Sequence, residues 1–245
     1  MAQMRPDLSS ETLEFLPSSE ARFYRACRDQ LPDRELVYYS VRMLNESMVE
    51  GEADFVLFDP EHGMLVIEVK GGGVSFDPDT GQWHSIDRKG IRHQVKDPAR
   101  QASDRMHDLQ RLLIHSSRWT RQIKSRPTCG YAVLFPDLSS SQVDRIKRPD
   151  LKREILGCAA DLQDLRSWTQ RLFALWHKPG DIGPGAAGIS IAKEMLGQQF
   201  EVQPLLSARL RHEEAVRIRL TDVQALLLEQ LEDRQRIAID RKSVV

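Results

Sequence analysis

Residues 51–72 read GEADFVLFDPEHGMLVIEVKGG, and this stretch sets the architecture of the chain. It holds two apolar runs, 53–58 and 64–70, that are joined by DPEHG. Asp, Pro and Gly favour a tight connection, so the two runs are predicted to be strands of one β-hairpin. Because apolar residues occupy nearly every position of both runs, the hairpin is predicted to lie in a mostly buried sheet.

The hairpin is predicted to bring three charged side chains together. If it is symmetric about Glu61, Asp54 lies directly opposite Glu68. Directly opposed residues have Cβ atoms roughly 4.5–5.5 Å apart. Lys70 follows Glu68 by two positions and therefore projects from the same face of the strand. Asp54, Glu68 and Lys70 are thus expected to converge on one spot.

Two interpretations of this convergence stay open at the level of the residues. Facing carboxylates repel each other unless a cation lies between them, and Mg²⁺ prefers oxygen ligands together with several waters. A nearby lysine could hold or polarise an attacking water while the metal offsets phosphate charge. Alternatively, Lys70 simply pairs with Glu68 or Asp54 at the end of the sheet, since an E-x-K tripeptide alone is a weak signal.

The rest of the pattern predicts an α/β fold with a mixed sheet flanked by helices. Tyr24, Cys27 and Leu31 form an apolar stripe on the first helix, and Asp97 followed by Pro98 is typical of a helix start. The predicted elements are a helix at 18–31, strands at 36–43, 53–58 and 64–70, a polar hairpin at 73–86, a helix opened by Asp97 with the stripe Ala99, Ala102, Met106, Leu109 and Leu113, strands at 130–135 and 153–158, and a helix from Asp161 to about Trp176.

Composition and charge exclude several classes of protein. The chain has 245 residues, 29% of them charged, and a formal net charge of −1. Its three cysteines are far apart, which argues against a disulfide scaffold or a zinc ribbon and fits a reducing cytoplasm. No apolar run approaches the ~20 residues of a membrane helix, and the N-terminal residues lack the form of a secretory signal. A cytoplasmic protein is therefore expected.

The near-neutral total hides an acidic segment followed by a basic one. Residues 1–87 carry 7 Lys or Arg against 17 Asp or Glu, a net of −10, whereas residues 88–126 carry 11 Lys or Arg against 3 Asp, a net of +8. An acidic cluster beside a basic surface is what a metal site acting on a polyanion needs. A solvated helix face explains the basic run equally simply.

A domain boundary is predicted at residues 178–190, KPGDIGPGAAGIS, which contain four Gly and two Pro. Such a composition is typical of a linker. The expected organisation is one domain at 1–177, the linker, and a mainly helical, charged segment at 191–245.

Together these residues resemble the active-site core of the PD-(D/E)XK nuclease superfamily, and more specifically the nuclease-related domain known as NERD. The likeness covers about residues 18–135 and includes the helix SSEARFYRACRDQL, the G-E-x-D opening at 51–54, the GQW at 81–83 and KDPARQA at 96–102. It implies a restriction-endonuclease-like fold and a Mg²⁺ or Mn²⁺ cofactor.

The resemblance also implies roles for individual residues. Asp54 and Glu68 would be metal ligands, Lys70 the catalytic lysine and Glu20 a further acid from the first helix. Gln101 would contact the substrate or the lysine. As alternatives, Glu20 is simply a first-turn acid favourable to the helix dipole, and Gln101 a solvated polar side chain.

The C-terminal run 220–239, LTDVQALLLEQLEDRQRIAI, resembles the Q-motif that precedes the motor of superfamily 1 helicases. There Gln224 would be the adenine-reading residue, although a capping box of Thr221 and Gln224 explains both positions locally. The sequence has no Walker-type phosphate loop, so Gln224 is at most vestigial and no ATPase activity is expected.

The sequence thus supports three hypotheses. The first is a Mg²⁺-dependent nuclease that hydrolyses DNA phosphodiester bonds in DNA processing or repair. The second is a non-catalytic module that binds nucleic acid or a partner such as a helicase, and the third is a structural adaptor. In the first, the DNA backbone would be held by basic residues of the 88–126 segment: Arg88, Lys89, Arg92, Lys96 and Arg100.

Overall fold

The computed structural model describes residues 1–44, 50–86, 90–123 and 126–200. The strands are β1 (Gln3–Arg5), β2 (Leu36–Leu44), β3 (Glu50–Asp59), β4 (Gly63–Val69), β5 (Gly73–Asp77), β6 (Gln82–Ile86), β7 (Arg92–Val95), β8 (Thr128–Leu134) and β9 (Leu156–Gly157). The helices are α1 (Ser10–Glu14), α2 (Ser18–Gln30), α3 (Pro98–Ile114), α4 (Ser117–Gln122), α5 (Ser140–Val143), α6 (Ala159–Gln163), α7 (Leu165–Trp176) and α8 (Gly185–Phe200).

The larger of the two sheets is mixed and has the strand order β1-β2-β3-β4-β8-β9. Strands β2, β3 and β4 are antiparallel neighbours, whereas β1 runs parallel to β2, and β8 runs parallel to both β4 and β9. The predicted fold class is confirmed: this is a mixed α/β sheet flanked by helices, consistent with a restriction-endonuclease-like fold.

The central hairpin has the predicted register. Phe55 pairs with Ile67 and Asp59 with Gly63, so the two strands are symmetric about Glu61. Gly63 is needed at the end of the turn because its φ is +151° and a Cβ there would lie 1.9 Å from the carbonyl oxygen of Thr128. The turn therefore lets β8 approach β4 closely, which fixes the middle of the sheet.

Two apolar clusters cover the two faces of this sheet. The first cluster joins the sheet to α2 and α7 and includes Phe23, Phe55, Ile67 and Phe173. The second cluster joins the opposite face to α3 and α8 and includes Val56, Val66, Met106, Leu109 and Ile189. All five residues of the predicted stripe on α3 are buried, and Asp97 caps the helix by accepting hydrogen bonds from the N–H groups of Ala99 and Arg100. The apolar stripes that the sequence predicts on α2 and α3 are thus explained by burial of one face of each helix.

A second, three-stranded sheet follows the hairpin, in the order β5-β6-β7. The hairpin of β5 and β6 lies where the sequence predicts it, with Phe76 opposite Trp83. Strand β7 has the sequence RHQV, which lacks an apolar alternation, so the pattern did not predict it. Its strand form comes from pairing with β6 rather than from burial of its own side chains.

The predicted single helix from Asp161 to Trp176 is wrong in detail. The segment forms two helices, α6 and α7, that are separated at Asp164, whose backbone has φ −127° and ψ 65°. The carboxylate of Asp164 accepts a hydrogen bond from the N–H of Ser167 and so caps α7. The predicted strand at 153–158 is also shorter than expected, because Arg153–Ile155 form a 3₁₀ turn before β9.

The Gly- and Pro-rich segment contains both a loop and the start of α8. Ile182 donates its N–H to the carbonyl of Arg126, Gly185 donates to the carbonyl of Pro60, and the helix then packs on the second cluster through Ile189, Ala192 and Leu196. The predicted division into a domain at 1–177, a linker at 178–190 and a segment at 191–245 stays a prediction. The 220–239 run and Gln224 lie outside the described residues.

The three cysteines are free thiols, so no disulfide supports the fold. Within the described part of the chain, no helix combines the length and the apolar character that a bilayer-spanning segment needs. A cytoplasmic location stays a prediction.

Candidate active site

The site begins at an irregularity shared by β2 and β3. Ser40 has a φ of +58°, in the left-handed region that residues other than Gly seldom adopt. The pairs on either side of it, Tyr39 with Phe55 and Val41 with Ala53, belong to opposite faces of the sheet. The regular alternation of side chains between the two faces is thus interrupted in both strands beside Ser40. Asp54 is the β3 residue at this interruption.

Asp54 turns its carboxylate toward the end of β4. Its Oδ2 accepts a hydrogen bond of 2.9 Å from the backbone N–H of Val69. The regular β3–β4 pairs end at Phe55 and Ile67, so Asp54 does not form the predicted regular pair with Glu68, but this bond places its carboxylate beside the residue between Glu68 and Lys70. Burial raises the pKa of Asp54, while the Lys70 charge and the Val69 hydrogen bond act in the opposite direction.

Glu68 is buried, with 2% of its surface exposed. Its Oε1 lies 2.6 Å from Nζ of Lys70, whereas its Oε2 is buried without a hydrogen-bond partner. An unpaired buried carboxylate oxygen costs free energy, so this atom fits a ligand position for a cation. Burial, followed by the charge of Asp54, raises the pKa of Glu68 to about 7 despite the nearby lysine.

Lys70 lies just beyond the end of β4, where its N–H donates to the carbonyl of Leu134. Desolvation lowers the pKa of Lys70, but the charges of Glu68 and Asp54 outweigh it and leave the pKa raised. The side chain is 27% exposed, so the ammonium reaches solvent at the edge of the acidic pair. The structure therefore brings Asp54, Glu68 and Lys70 together.

Glu20 lies on α2 and approaches the same spot from the other side. Its Oε2 accepts a hydrogen bond of 2.6 Å from the hydroxyl of Tyr39, and its charge acts on both Glu68 and Lys70. Glu20, Asp54 and Glu68 do not, however, form a group of ligand atoms within 4.8 Å of one another; in the described residues, that spacing is met by Asp59, Glu61 and His62 instead. Glu20 thus lies near Asp54 and Glu68, but its carboxylate is not close enough to both to form a three-residue metal site with them.

The remaining predicted residues lie around the end of α3 that follows β7. Gln101 is half-buried in the first turns of α3, the helix that packs against β4 and β8. Arg92 of β7, Lys96 in the connection after it and Arg100 in the first turn of α3 are exposed. Arg88 and Lys89 lie outside the described residues. The role of these basic residues in binding nucleic acid stays a prediction.

Two supporting contacts were not predicted from the sequence. Asp137 follows β8, accepts a hydrogen bond of 2.7 Å from the N–H of Gly72 and pairs with Arg22 of α2, which fixes the chain just after Lys70. The guanidinium of Arg105 lies where a Cβ on Gly51 would be, 1.9 Å from its Nη1. In the sequence, the available signals for these contacts were the two glycines after E-x-K and the glycine of G-E-x-D. Neither signal shows which residue contacts the glycine.

Asp54 and Glu68 thus supply two carboxylates, and one buried oxygen of Glu68 has no hydrogen-bond partner among the described residues. The protonated ammonium of Lys70 lies beside them. Oxygen donors of this kind suit Mg²⁺ or Mn²⁺. A nuclease-related domain, NERD, is found at residues 18–136. The NERD domain extends from the start of α2 to just past β8 and contains Glu20, Asp54, Glu68, Lys70 and Gln101.

No curated protein and no solved structure gives a significant match to the chain. The NERD match ends at residue 136, and the comparisons give the helicase-like interpretation of 220–239 no support. Domains of this kind are nuclease-related by definition of the family, which makes nuclease activity and contact with nucleic acid the natural functions to test.

Proposed function

We propose that the NERD domain is a Mg²⁺-dependent nuclease that hydrolyses DNA phosphodiester bonds in DNA processing or repair. The observation that carries this proposal is the state of Glu68, which is buried with one oxygen on Lys70 and the other unpartnered, next to Asp54. A purely structural ion pair would not need a second acid beside it, since like charges in a sheet destabilise each other.

Asp54 and Glu68 would hold the Mg²⁺ or Mn²⁺ ion. When bound, the ion supplies positive charge that offsets the charge of the scissile phosphate and stabilises its transition state. Burial and, after it, the charge of Asp54 raise the pKa of Glu68, and a cation between the two carboxylates would offset both effects.

Lys70 would orient the attacking water and donate a hydrogen bond to it or to the phosphate. Its raised pKa keeps the ammonium protonated at neutral pH, so a role as general base is disfavoured. The bond between Nζ and Glu68 fixes the direction of the side chain, which aids positioning of the water. Glu20, held by Tyr39, would set the charge around Lys70, and Gln101 would contact the substrate.

Arg92, Lys96 and Arg100 would bind the DNA backbone. All three are exposed on β7 and the start of α3, and β7 belongs to the small sheet that begins three residues after Lys70. Lysine and arginine contacts to phosphate fix the position of a duplex without reading its sequence. This surface is therefore suited to positioning DNA of any sequence.

The test is nicking of supercoiled plasmid and cleavage of single-stranded DNA by the full chain with Mg²⁺ or Mn²⁺. Glu68→Gln and Lys70→Met should each lower the rate at least 100-fold, and EDTA should abolish it. Glu154→Gln and Lys152→Met are matched controls, since they change an exposed acid and lysine at the same spacing, and they should leave the rate within twofold.

Cleavage that persists in the Glu68→Gln/Lys70→Met double variant would refute the site. Salt-sensitive DNA binding that needs neither metal nor Glu68, without cleavage, would instead support the non-catalytic binding module.

A further inference from the structure

A second group of metal-ligating side chains lies at the opposite end of the β3–β4 hairpin. Ligand atoms of Asp59, Glu61 and His62 all lie within 4.8 Å of one another. Nδ1 of His62 is 3.1 Å from Oδ2 of Asp59, and Oδ1 of Asp59 accepts a hydrogen bond of 2.6 Å from the N–H of Glu61. The turn therefore gathers the exposed carboxylate of Glu61 and the imidazole of His62 around the buried carboxylate of Asp59.

A further buried acid, Glu35, lies beside this group, although the group of ligand atoms within 4.8 Å does not include it, and it directly precedes β2. Leu36 pairs with Phe58, so Glu35, one residue earlier, lies at the register position opposite Asp59. It is 5% exposed, and its Oε2 is buried without a hydrogen-bond partner. After burial itself, the charge of Asp59 is the strongest influence on Glu35, and Glu61 also acts on it. A buried carboxylate with one unpaired oxygen thus lies beside Asp59.

The surroundings hold this group in place without fully neutralising it. The imidazole of His62 stacks on the ring of Phe173, with centroids 5.1 Å apart. Arg34 pairs with Glu61 at 3.1 Å, but both side chains are largely exposed, so this pair contributes little and can be exchanged for another cation. Arg166 also acts on Glu35 through its charge, yet Glu35 and Asp59 remain a facing pair of buried acids.

We propose that Asp59, Glu61 and His62 bind one divalent transition-metal ion, of which Zn²⁺ is the best match, and that the charge of this ion stabilises the neighbouring buried acid Glu35. Zn²⁺ accepts imidazole nitrogen together with carboxylate oxygen, whereas Mg²⁺ prefers oxygen alone. The site is separate from Asp54 and Glu68, which lie at the far end of the same two strands. It does not depend on the proposed nuclease activity.

The expected role of this ion is structural. It would hold the β3–β4 turn in its folded form, and the same turn receives the N–H of Gly185 through the carbonyl of Pro60 at 2.8 Å. A ligand that binds only the folded state stabilises it by mass action. Zn²⁺ is therefore expected to stabilise the hairpin turn and the start of α8 together.

The experiment measures Zn²⁺ binding by titration calorimetry and thermal unfolding. It uses the full chain carrying Asp54→Asn and Glu68→Gln, so that the nuclease-like pair cannot contribute and failure of the proposed function would not affect the result. One equivalent of Zn²⁺ should bind and raise the midpoint of thermal unfolding. Added His62→Gln should weaken binding at least tenfold and abolish the rise, whereas His115→Gln, an exposed histidine on the end of α3, should change neither.

Glu61→Gln is a second variant at an exposed position, and it should also weaken binding without impairing folding, as checked by circular dichroism. Absence of Zn²⁺ binding, or binding that His62→Gln and Glu61→Gln both leave unchanged, would overturn the proposal.

Discussion

Glu68 is held in a state that is unfavourable for a carboxylate by itself. It is buried, it lies beside Asp54, and only one of its oxygens is paired. Burial and the neighbouring acid together outweigh the attraction of Lys70, which is why the pKa of Glu68 is raised to about 7. The residue therefore links the stability of the metal-free protein to pH.

Stability of the metal-free protein is expected to fall as pH rises from about 4.5 to about 7. Over this range the unfolded chain loses the Glu68 proton while the folded chain still holds it. Raising the pH therefore stabilises the unfolded state relative to the folded state. Glu68→Gln should remove on the order of 3 kcal/mol of this pH dependence. The measurement is urea unfolding in EDTA at several pH values.

Glu35, whose pKa burial also raises to about 7, should leave part of the slope in that variant. Parallel pH profiles for the wild type and Glu68→Gln would contradict the assignment of the raised pKa to Glu68.

At this scale the sequence predicted the convergence of Asp54, Glu68 and Lys70, because hairpin register follows from the position of a short turn. It could not predict the left-handed Ser40, which depends on both strands changing face at the same level. It also missed Glu35 as a partner of Asp59, since that pairing requires the register of β2 against β3. Local spacing determines neighbours within a hairpin, and contacts with other elements need the fold.

Helix α3 depends on its N-cap residue, Asp97, for more than its start. Asp97 caps the N–H groups of Ala99 and Arg100 and also pairs with Arg148, whose guanidinium lies over Phe76 and Trp83. The cap thus connects α3, which carries Gln101, to the small sheet. Loss of the side chain removes both interactions at once.

Asp97→Ala is expected to lower the free energy of unfolding by about 1–2 kcal/mol, the range typical of a lost cap. Asp97→Asn keeps the capping oxygen and loses only the charge toward Arg148, so it should cost less than half as much. Chemical denaturation of the three proteins gives the comparison. Equal losses in the two variants would show that the ion pair, not the cap, supplies the stability.

Elements with strong periodicity were predicted well, as α2, α3 and the β3–β4 hairpin show. Strand β7 and the break between α6 and α7 were not, for two different reasons. β7 is polar and is a strand only because β6 pairs with it. The break at Asp164 interrupts a continuous helical pattern, and nothing in the apolar spacing indicates a capping residue inside it.

On the scale of the whole molecule, α8 completes the fold by covering the second cluster. Its residues Ile189, Ala192 and Leu196 are buried against a sheet face that would otherwise meet water. A chain that ends at residue 177 is therefore expected to aggregate, whereas one that ends at residue 200 should stay monodisperse. Size-exclusion chromatography of the two truncations checks this, and a monodisperse 1–177 chain would show that α8 is dispensable.

The charge asymmetry of the chain predicts how the proposed binding of DNA responds to salt. Each phosphate contact contributes a slope of about −0.9 in a plot of log affinity against log salt concentration. Arg92→Glu, Lys96→Glu and Arg100→Glu combined should weaken binding and flatten that slope, and Lys152→Glu should do neither. The measurement is fluorescence anisotropy in EDTA, which keeps cleavage out of the readout; an unchanged slope would place the DNA elsewhere.

The symmetry of the β3–β4 hairpin has an evolutionary consequence. The three-residue connection at 60–62 holds Asp59 opposite Gly63, and the pairs that follow lead to Phe55 and Ile67, next to the acidic pair. A one-residue shift of this pairing would turn every β4 side chain to the other face and remove Glu68 from the site. Surface turns usually tolerate changes of length, but this one is expected to resist insertion and deletion in any descendant that keeps the acidic pair.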